Sequence, residues 1–267
     1  MAVSAMQPPQ TLSHRARSSP AQESVTESLL RLISKRQSTR IPFDPEKEVS
    51  KRDLAQIVEA ARWAPTAHNM QNFEIIAVND KKLLKAIGKV RTRISEDFLR
   101  ENYQQLSFSK EEFLKKQTGV LAATFPRSWI DPAKFHFVAH KAPLGSLNDT
   151  IRGSPLVMVV VYDSQKRAPA SEGDFLGILS LGCVMENMWL VAQFLSIGFQ
   201  IMSVFSSEPA QSNVKRLLGI PTRMKIAYAI RLGYPVSRFP NYLRVRRSPE
   251  RLAYLNGYKA TGEKISS

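Results

Sequence analysis

Ala61-Arg62-Trp63-Ala64-Pro65-Thr66-Ala67-His68-Asn69-Met70-Gln71-Asn72-Phe73 is the stretch on which the reading of this chain turns. It continues a helical pattern and runs directly into strand-like Phe73-Glu74-Ile75-Ile76-Ala77-Val78. A loop of proline, small residues and carboxamides between a helix and a buried strand is suited to gripping a flat polar heterocycle. Pro65 fixes a turn, Thr66 and Ala67 allow close backbone approach, and Asn69 and Gln71 each offer donors and acceptors. An ordinary capped loop would carry the same residues, so the weight falls on two segments far away in sequence.

The first is Ser34-Lys35-Arg36-Gln37-Ser38-Thr39-Arg40. In an extended segment Arg36, Ser38 and Arg40 leave the same face. Two guanidinium forks with a hydroxyl between them suit a phosphate or another anion that takes several charge-assisted hydrogen bonds. The second is Leu232-Gly233-Tyr234-Pro235, a strand end, followed by Leu243-Arg244-Val245-Arg246-Arg247-Ser248-Pro249-Glu250, another guanidinium cluster.

At these three places, in this order and spacing, the sequence resembles the FMN-dependent nitroreductase family over roughly residues 28 to 258. The matching pieces are Arg-x-Ser-x-Arg, Ala-Pro-Thr-Ala-x-Asn-x-Gln, and Leu-Gly-Tyr-Pro followed by an Arg-Arg pair. The loop departs from the family where Gln-Pro-Trp is usual and Gln71-Asn72-Phe73 stands here. The resemblance implies a mixed, mainly antiparallel sheet flanked by helices, in an intertwined homodimer built on a long central helix. It implies that Arg36, Gln37 and Ser38 hold the FMN phosphate and ribityl end together with Arg246 and Arg247. Arg40 would sit near the pyrimidine carbonyl, where a fixed cation stabilises the reduced flavin. Pro65, Thr66, Ala67 and Asn69, with Gln71 beside them, would reach the flavin of the other subunit. Ser203, Val204, Phe205 and Ser206 would pass its central ring, although the family often has Gly or an acidic residue at the last two positions. The implied activity is a ping-pong NAD(P)H oxidoreductase acting on small-molecule nitroaromatic or quinone acceptors. A reductive dehalogenase, a dedicated flavin oxidase or dehydrogenase, and a flavin-binding protein without turnover are the alternatives.

Composition is compatible with this. The 267 residues suffice for one domain with a good core, and 43% hydrophobic against 23% charged residues is ordinary for a soluble protein. Cys183 is the single cysteine, which excludes an intramolecular disulfide. His136 and His140 stand four apart and can share a helix face, but the sequence offers them no evident carboxylate partner, so no metal is expected. The net charge of +15 invites a nucleic-acid reading. No regular interleaving of basic and aromatic residues supports it, and no nucleic acid is expected. A flavin phosphate and a dinucleotide donor account for a basic pocket mouth.

Along the chain, Ser, Pro, Gln and Ala dominate the N-terminus, and a disordered tail is expected over residues 1–27. Its Arg15 and Arg17 weakly suggest an organellar transit peptide, against a plain tail on a cytoplasmic protein. One domain then fills 28–267, with a first helix from Val25 to near Arg36. Ser50 is expected to cap a helix with an apolar stripe of Leu54, Ile57, Val58, Ala61 and Trp63. Residues 90–150 read as a lid-like insertion in which Phe125, Trp129, Phe135 and Phe137 either stack on a substrate or pack the lid down. Ser154 to Tyr162 reads as a strand buried on both faces, Gly198 to Phe205 and Lys225 to Leu232 as two more. Between them, Ile178 to Gly198 is apolar nearly all round. Glu186, Asn187 and Gln193 argue against a membrane span, so a subunit interface is the expected place of burial.

Overall fold

The β-branched run at 154–162 becomes the middle of the sheet. The computed structural model describes residues 20–171, 173–208, 210–237, 243–258 and 263–264. Glu74–Val78 (β1), Leu156–Asp163 (β2), Gly198–Met202 (β3) and Met224–Gly233 (β4) form one antiparallel sheet in the order β1-β2-β4-β3. Successive side chains of β2 leave opposite faces, and both faces are covered. Leu156, Met158 and Val160 enter one core with Ile57 and Ala61 of the helix Lys51–Arg62 and with Val184, Met188 and Trp189 of the helix Phe175–Phe194. Val157, Val159 and Val161 enter a second core with Ile87, Phe205 and Val214. That double cover is why the run is apolar without alternation although its neighbours are antiparallel.

The helices, in chain order, are Pro20–Lys35 (α1), Lys51–Arg62 (α2), Lys81–Gly88 (α3), Glu96–Glu101 (α4), Lys110–Lys116 (α5), Asn148–Ile151 (α6), Phe175–Phe194 (α7) and Ala210–Leu218 (α8). Ser50 caps α2 as expected, accepting from Asp53 N–H at 3.0 Å. The expected α2 stripe is only half buried: Ile57 and Ala61 are inside, Val58 and Trp63 are exposed. Helix α1 begins at Pro20, inside the segment expected to be a tail, while residues 1–19 lie outside the described residues. Strand β3 ends at Met202, and Ser203 to Phe205, expected to continue it, belong instead to a 3₁₀ turn, Ser203–Ser206.

Helix α7 is buried on one side only within the protomer. Leu181, Val184, Met188, Trp189 and Ala192 face the sheet, whereas Phe175, Ile178, Leu179 and Phe194 are exposed, Phe194 to 76%. The exposed apolar side chains of α1, Val25, Leu29, Leu30 and Ile33, repeat the pattern.

What fixes residues 36–44 against the sheet is a buried arginine. Arg231 of β4 is fully buried, and its Nη2 donates to the carbonyls of Thr39 and Ile41, both at 2.8 Å. Its Nε donates to Gln200 Oε1 at 2.8 Å, and its guanidinium lies 4.4 Å over the Phe43 ring. Phe43 rests where Gly198 and Gly233 pair across β3 and β4: a Cβ on Gly198 would stand 2.4 Å from Phe43 Cε1, and one on Gly233 2.8 Å from Phe43 Cβ. Those two glycines are therefore a seat for an aromatic ring. Thr39 N–H to Phe199 O (2.9 Å) and Asp44 N–H to Tyr234 O (2.8 Å) complete the attachment.

Replacing Arg231 by Met should remove the donors on which two buried carbonyls rely, destabilising the fold by about 3–5 kcal/mol in chemical denaturation. A loss under about 1 kcal/mol, the net value of one ordinary hydrogen bond, would show that the segment is held by other contacts.

Candidate functional site

Two groups of the expected site residues gather at different stations along α7. The first is the segment 36–40. The Arg36 guanidinium carbon lies 4.3 Å over the Trp189 ring, and Arg36 Nε is 2.9 Å from Glu186 Oε1. That approach makes an ion pair by distance, but Arg36 Nε has no acceptor along its N–H and remains a buried donor without a hydrogen bond. Trp189 Nε1–H donates to Gln37 O at 3.4 Å, the Ser38 side is half-buried, and Arg40 is exposed, its carbonyl accepting from Arg152 Nη1 at 2.6 Å. Thr39 is locked in the core beside Phe199.

The C-terminal cluster meets this segment, though through a different arginine from the two expected. Arg244 Nη1 donates to Arg36 O at 2.9 Å. Arg246 Nη1 bonds Val245 O, and Arg247 is exposed. Arg244 is the residue the family pattern passed over, and its place in the same basic run is the signal that could have found it. The Arg244 side chain thus lies against the backbone of Arg36, while the Arg36 guanidinium itself is turned to Trp189 and Glu186.

The turn Ser203–Ser206 closes the strand whose second residue, Phe199, holds Thr39. Ser203 follows Phe199 by four residues, about 13 Å along an extended strand. Ser206 Oγ–H donates to Ser203 O at 2.7 Å, which tightens the turn. Phe205 is fully buried in the second core, so its side chain belongs to packing and only its backbone can face a ligand. Ser203 and Ser206 are exposed and Val204 is half-buried.

The second group is the loop 65–71, held against the N-terminal half of α7. Ala67 N–H donates to Ser180 Oγ at 3.0 Å, and Ser180 in turn donates to Leu176 O at 2.8 Å. Gln71 N–H donates to Thr66 Oγ1, and Gln71 Nε2 to Asn69 Oδ1, each at 3.1 Å. His68, Asn69 and Gln71 all have positive φ, near 50°. Three non-glycine residues in the left-handed region cost on the order of 1 kcal/mol or more apiece, so the surrounding contacts hold the loop in one shape. Much of that comes from the residue that departs from the family pattern. Asn72 Nδ2 donates to Asp163 O (2.9 Å) and Lys166 O (3.1 Å), while its Oδ1 accepts from Asp163 N–H (3.2 Å). Asn72 pins the loop to the end of β2.

Between Ser180, which holds the loop, and Glu186 and Trp189, which hold Arg36, lie six to nine residues of helix, about 9–14 Å. One protomer therefore presents the two groups apart, side by side on one rod.

The lid has a small core of its own, Leu99, Phe135 and Ala139, with Ile94, Trp129 and Val138 against it. Of the four aromatics weighed for stacking on a substrate, Phe135 is buried in that core. Phe125 and Trp129 stack on each other at 6.2 Å, and Phe137 is exposed.

Comparison with known proteins identifies the family and the fold. A family model described as the Nitroreductase family matches residues 33–234. A protein of Archaeoglobus fulgidus, provisionally named an NADH dehydrogenase/NAD(P)H nitroreductase, is 24% identical over 209 residues, 78% of this chain and 86% of its own. An iodotyrosine deiodinase of Thermotoga neapolitana is 23% identical over 215 residues, 79% of this chain and 91% of its own. A solved FMN-dependent nitroreductase of Clostridium difficile superposes with a TM-score of 0.53 at 16% identity, covering 86% of this chain and 99% of that one. At that identity the superposition speaks for the fold alone.

Asn72→Ala should release the loop by deleting three hydrogen bonds. We expect a loss of about 1–3 kcal/mol and faster amide exchange confined to residues 66–73. Exchange unchanged in that loop would mean that the Ser180 contact suffices to hold it.

Proposed function

The chain belongs to the nitroreductase family and is an FMN-dependent oxidoreductase, and from that premise we propose that it passes electrons from NAD(P)H to nitroaromatic or quinone-type acceptors as a homodimer. The observation that carries the reading is the donor set around Arg36: a guanidinium with one buried N–H lacking an acceptor, Ser38 on the same segment, and Arg244 arriving from the other end of the chain. An anionic phosphate fits that set, because it supplies the acceptor that Glu186 at 2.9 Å does not provide in direction.

When bound, FMN supplies the hydride relay between donor and acceptor. The chain's own residues bind and orient. Arg36, Gln37 and Ser38, with Arg244 and the neighbouring Arg246 and Arg247, neutralise the phosphate end. Arg40 offers a fixed cation where negative charge gathers on reduction. Backbone N–H groups of the 203–206 turn would be available to a ring edge of the cofactor. No side chain is required to attack the substrate covalently.

Two features of the protomer support the homodimer reading. The exposed apolar side chains Phe175, Ile178, Leu179 and Phe194 need a cover, and the loop 65–71 stands about 9–14 Å along α7 from the cradle of its own chain. A two-fold partner lying along α7 supplies both the cover and Pro65, Thr66, Ala67, Asn69 and Gln71 for the neighbouring flavin. Although α7 is long and apolar enough to cross a membrane, it carries Glu186 paired with Arg36, and Asn187 donates to Ala60 O at 3.1 Å. We read it as a dimer-core helix of a cytoplasmic enzyme. A second reading, reductive dehalogenation on the same cradle, is favoured by the deiodinase relative.

Purified protein should be yellow and should bleach anaerobically when NADH or NADPH is added. Yellow protein inert to both donors would leave it a flavoprotein with another reductant. Arg36→Ala should weaken FMN retention by about 1–3 kcal/mol, the range for a lost hydrogen bond to a charged group. Unchanged retention would remove Arg36 from the cradle. Turnover of halogenated phenols in preference to nitro compounds and quinones by the reduced protein would select the second reading.

A further inference from the structure

The two histidines that sequence spacing left without a partner acquire one in the lid. Helix α4 crosses residues 135–141 through the buried contact of Leu99 with Phe135 and Ala139. On the solvent side of that contact His136 and His140 stand one turn apart, their rings nearly parallel with centroids 4.6 Å apart. Glu96, at the start of α4, meets them: its Oε2 lies 3.5 Å from His136 Nδ1 and 3.8 Å from His140 Nδ1. One donor atom from each of the three residues falls within 4.8 Å of the others.

The carboxylate is divided between two tasks. Oε1 is held by the Arg100 guanidinium, one turn further along α4, and that pairing draws the Glu96 carboxyl below its usual range, with His136 adding to the effect. Oε2 is turned to the imidazoles. His140 Nδ1 also lies 3.2 Å from His136 O. Donation to that carbonyl assigns the proton to Nδ1 and leaves Nε2 as the lone-pair donor, the arrangement by which metal-bound histidines are oriented.

Ligand atoms around a tetrahedral zinc at about 2.0–2.1 Å stand roughly 3.3 Å from one another. With His140 presenting Nε2, the Glu96–His136 contact at 3.5 Å is already near that spacing, and the exposed imidazoles can rotate through what remains. Two neutral imidazoles and one carboxylate suit a borderline first-row cation, whereas magnesium and calcium take all-oxygen sets.

We propose that Glu96, His136 and His140 bind a first-row divalent transition metal, with zinc the best match to the donor set and water completing its coordination. The bound ion staples α4 to residues 135–141 and so stiffens the lid. It uses none of the residues assigned to the flavin, and its failure would leave the flavin reading untouched.

The test uses full-length, flavin-loaded protein without a polyhistidine tag, stripped with a chelator and dialysed against Zn²⁺, with Mg²⁺ as control. We expect one zinc per chain and no magnesium. His136→Ala and His140→Ala should each weaken zinc binding at least about tenfold, since disturbing even an outer partner of a metal ligand costs that much. Both variants should keep wild-type FMN content and bleaching by NAD(P)H. Zinc should also slow proteolytic cleavage within residues 94–141 of the wild-type protein and leave the His136→Ala/His140→Ala double variant unaffected. Substoichiometric binding, or binding retained in that double variant, overturns the site. Cleavage indifferent to zinc overturns the staple.

Discussion

The structure depends on one desolvated charge. Burying the Arg231 guanidinium is costly, and the cost is offset because its fork finds the Thr39 and Ile41 carbonyls, the Gln200 carboxamide and the face of Phe43. Those partners are spread over the segment 39–43 and strand β3, so satisfying one arginine fixes how that segment lies across the sheet. Arg36, Gln37 and Ser38 immediately precede it. Their position is therefore set by a residue that itself touches no ligand. The Gly198–Gly233 pair is the steric half of the same device, since any side chain at either position would lift Phe43 from its seat.

Helix α7 is the second organiser. It is central enough to contact both cores' shared sheet and long enough to carry two unrelated jobs. Ser180 fixes the strained loop at one station, while Glu186 and Trp189 fix the arginine segment at another. A rigid rod sets the distance between them, and no flexible connection intervenes. This explains three of the four polar side chains that so apolar a helix retains. Ser180, Glu186 and Asn187 each hold a backbone or a charge that belongs to the neighbouring layer.

What could be read from sequence was what depends on near neighbours in the chain. The β2 run announced a doubly covered strand because it is mostly β-branched and leaves no polar side to expose, and the Ser50 cap needs only Asp53 three residues on. The convergence of the N- and C-terminal basic segments was legible through motif order, yet the arginine that makes the contact is Arg244, because which of three neighbouring guanidinium groups turns inward depends on the path of the backbone. Gly198 gave no hint of its role, since that role is Phe43, remote in sequence. Arg231 in an otherwise apolar strand could equally have marked an exposed edge. The stripe on α2 misled for a related reason: helical spacing identifies an apolar face, but Val58 and Trp63 lie beyond what one protomer's core can cover. Asn72 looked like a defect in a motif, and proves to be the tie between the loop and β2.

The segment expected to be a lid packs differently from the rest of the chain. Its core of Leu99, Phe135 and Ala139 is separate from the two clusters that cover the sheet, and its aromatics pair chiefly among themselves. A substitution there is felt within the lid and hardly at Arg231 or α7, because packing constraints act through direct contact. That separation is a weakness, since a core of three buried residues stabilises little by itself. On the solvent face of that core Glu96 meets His136 and His140, a polar contact between its two main segments.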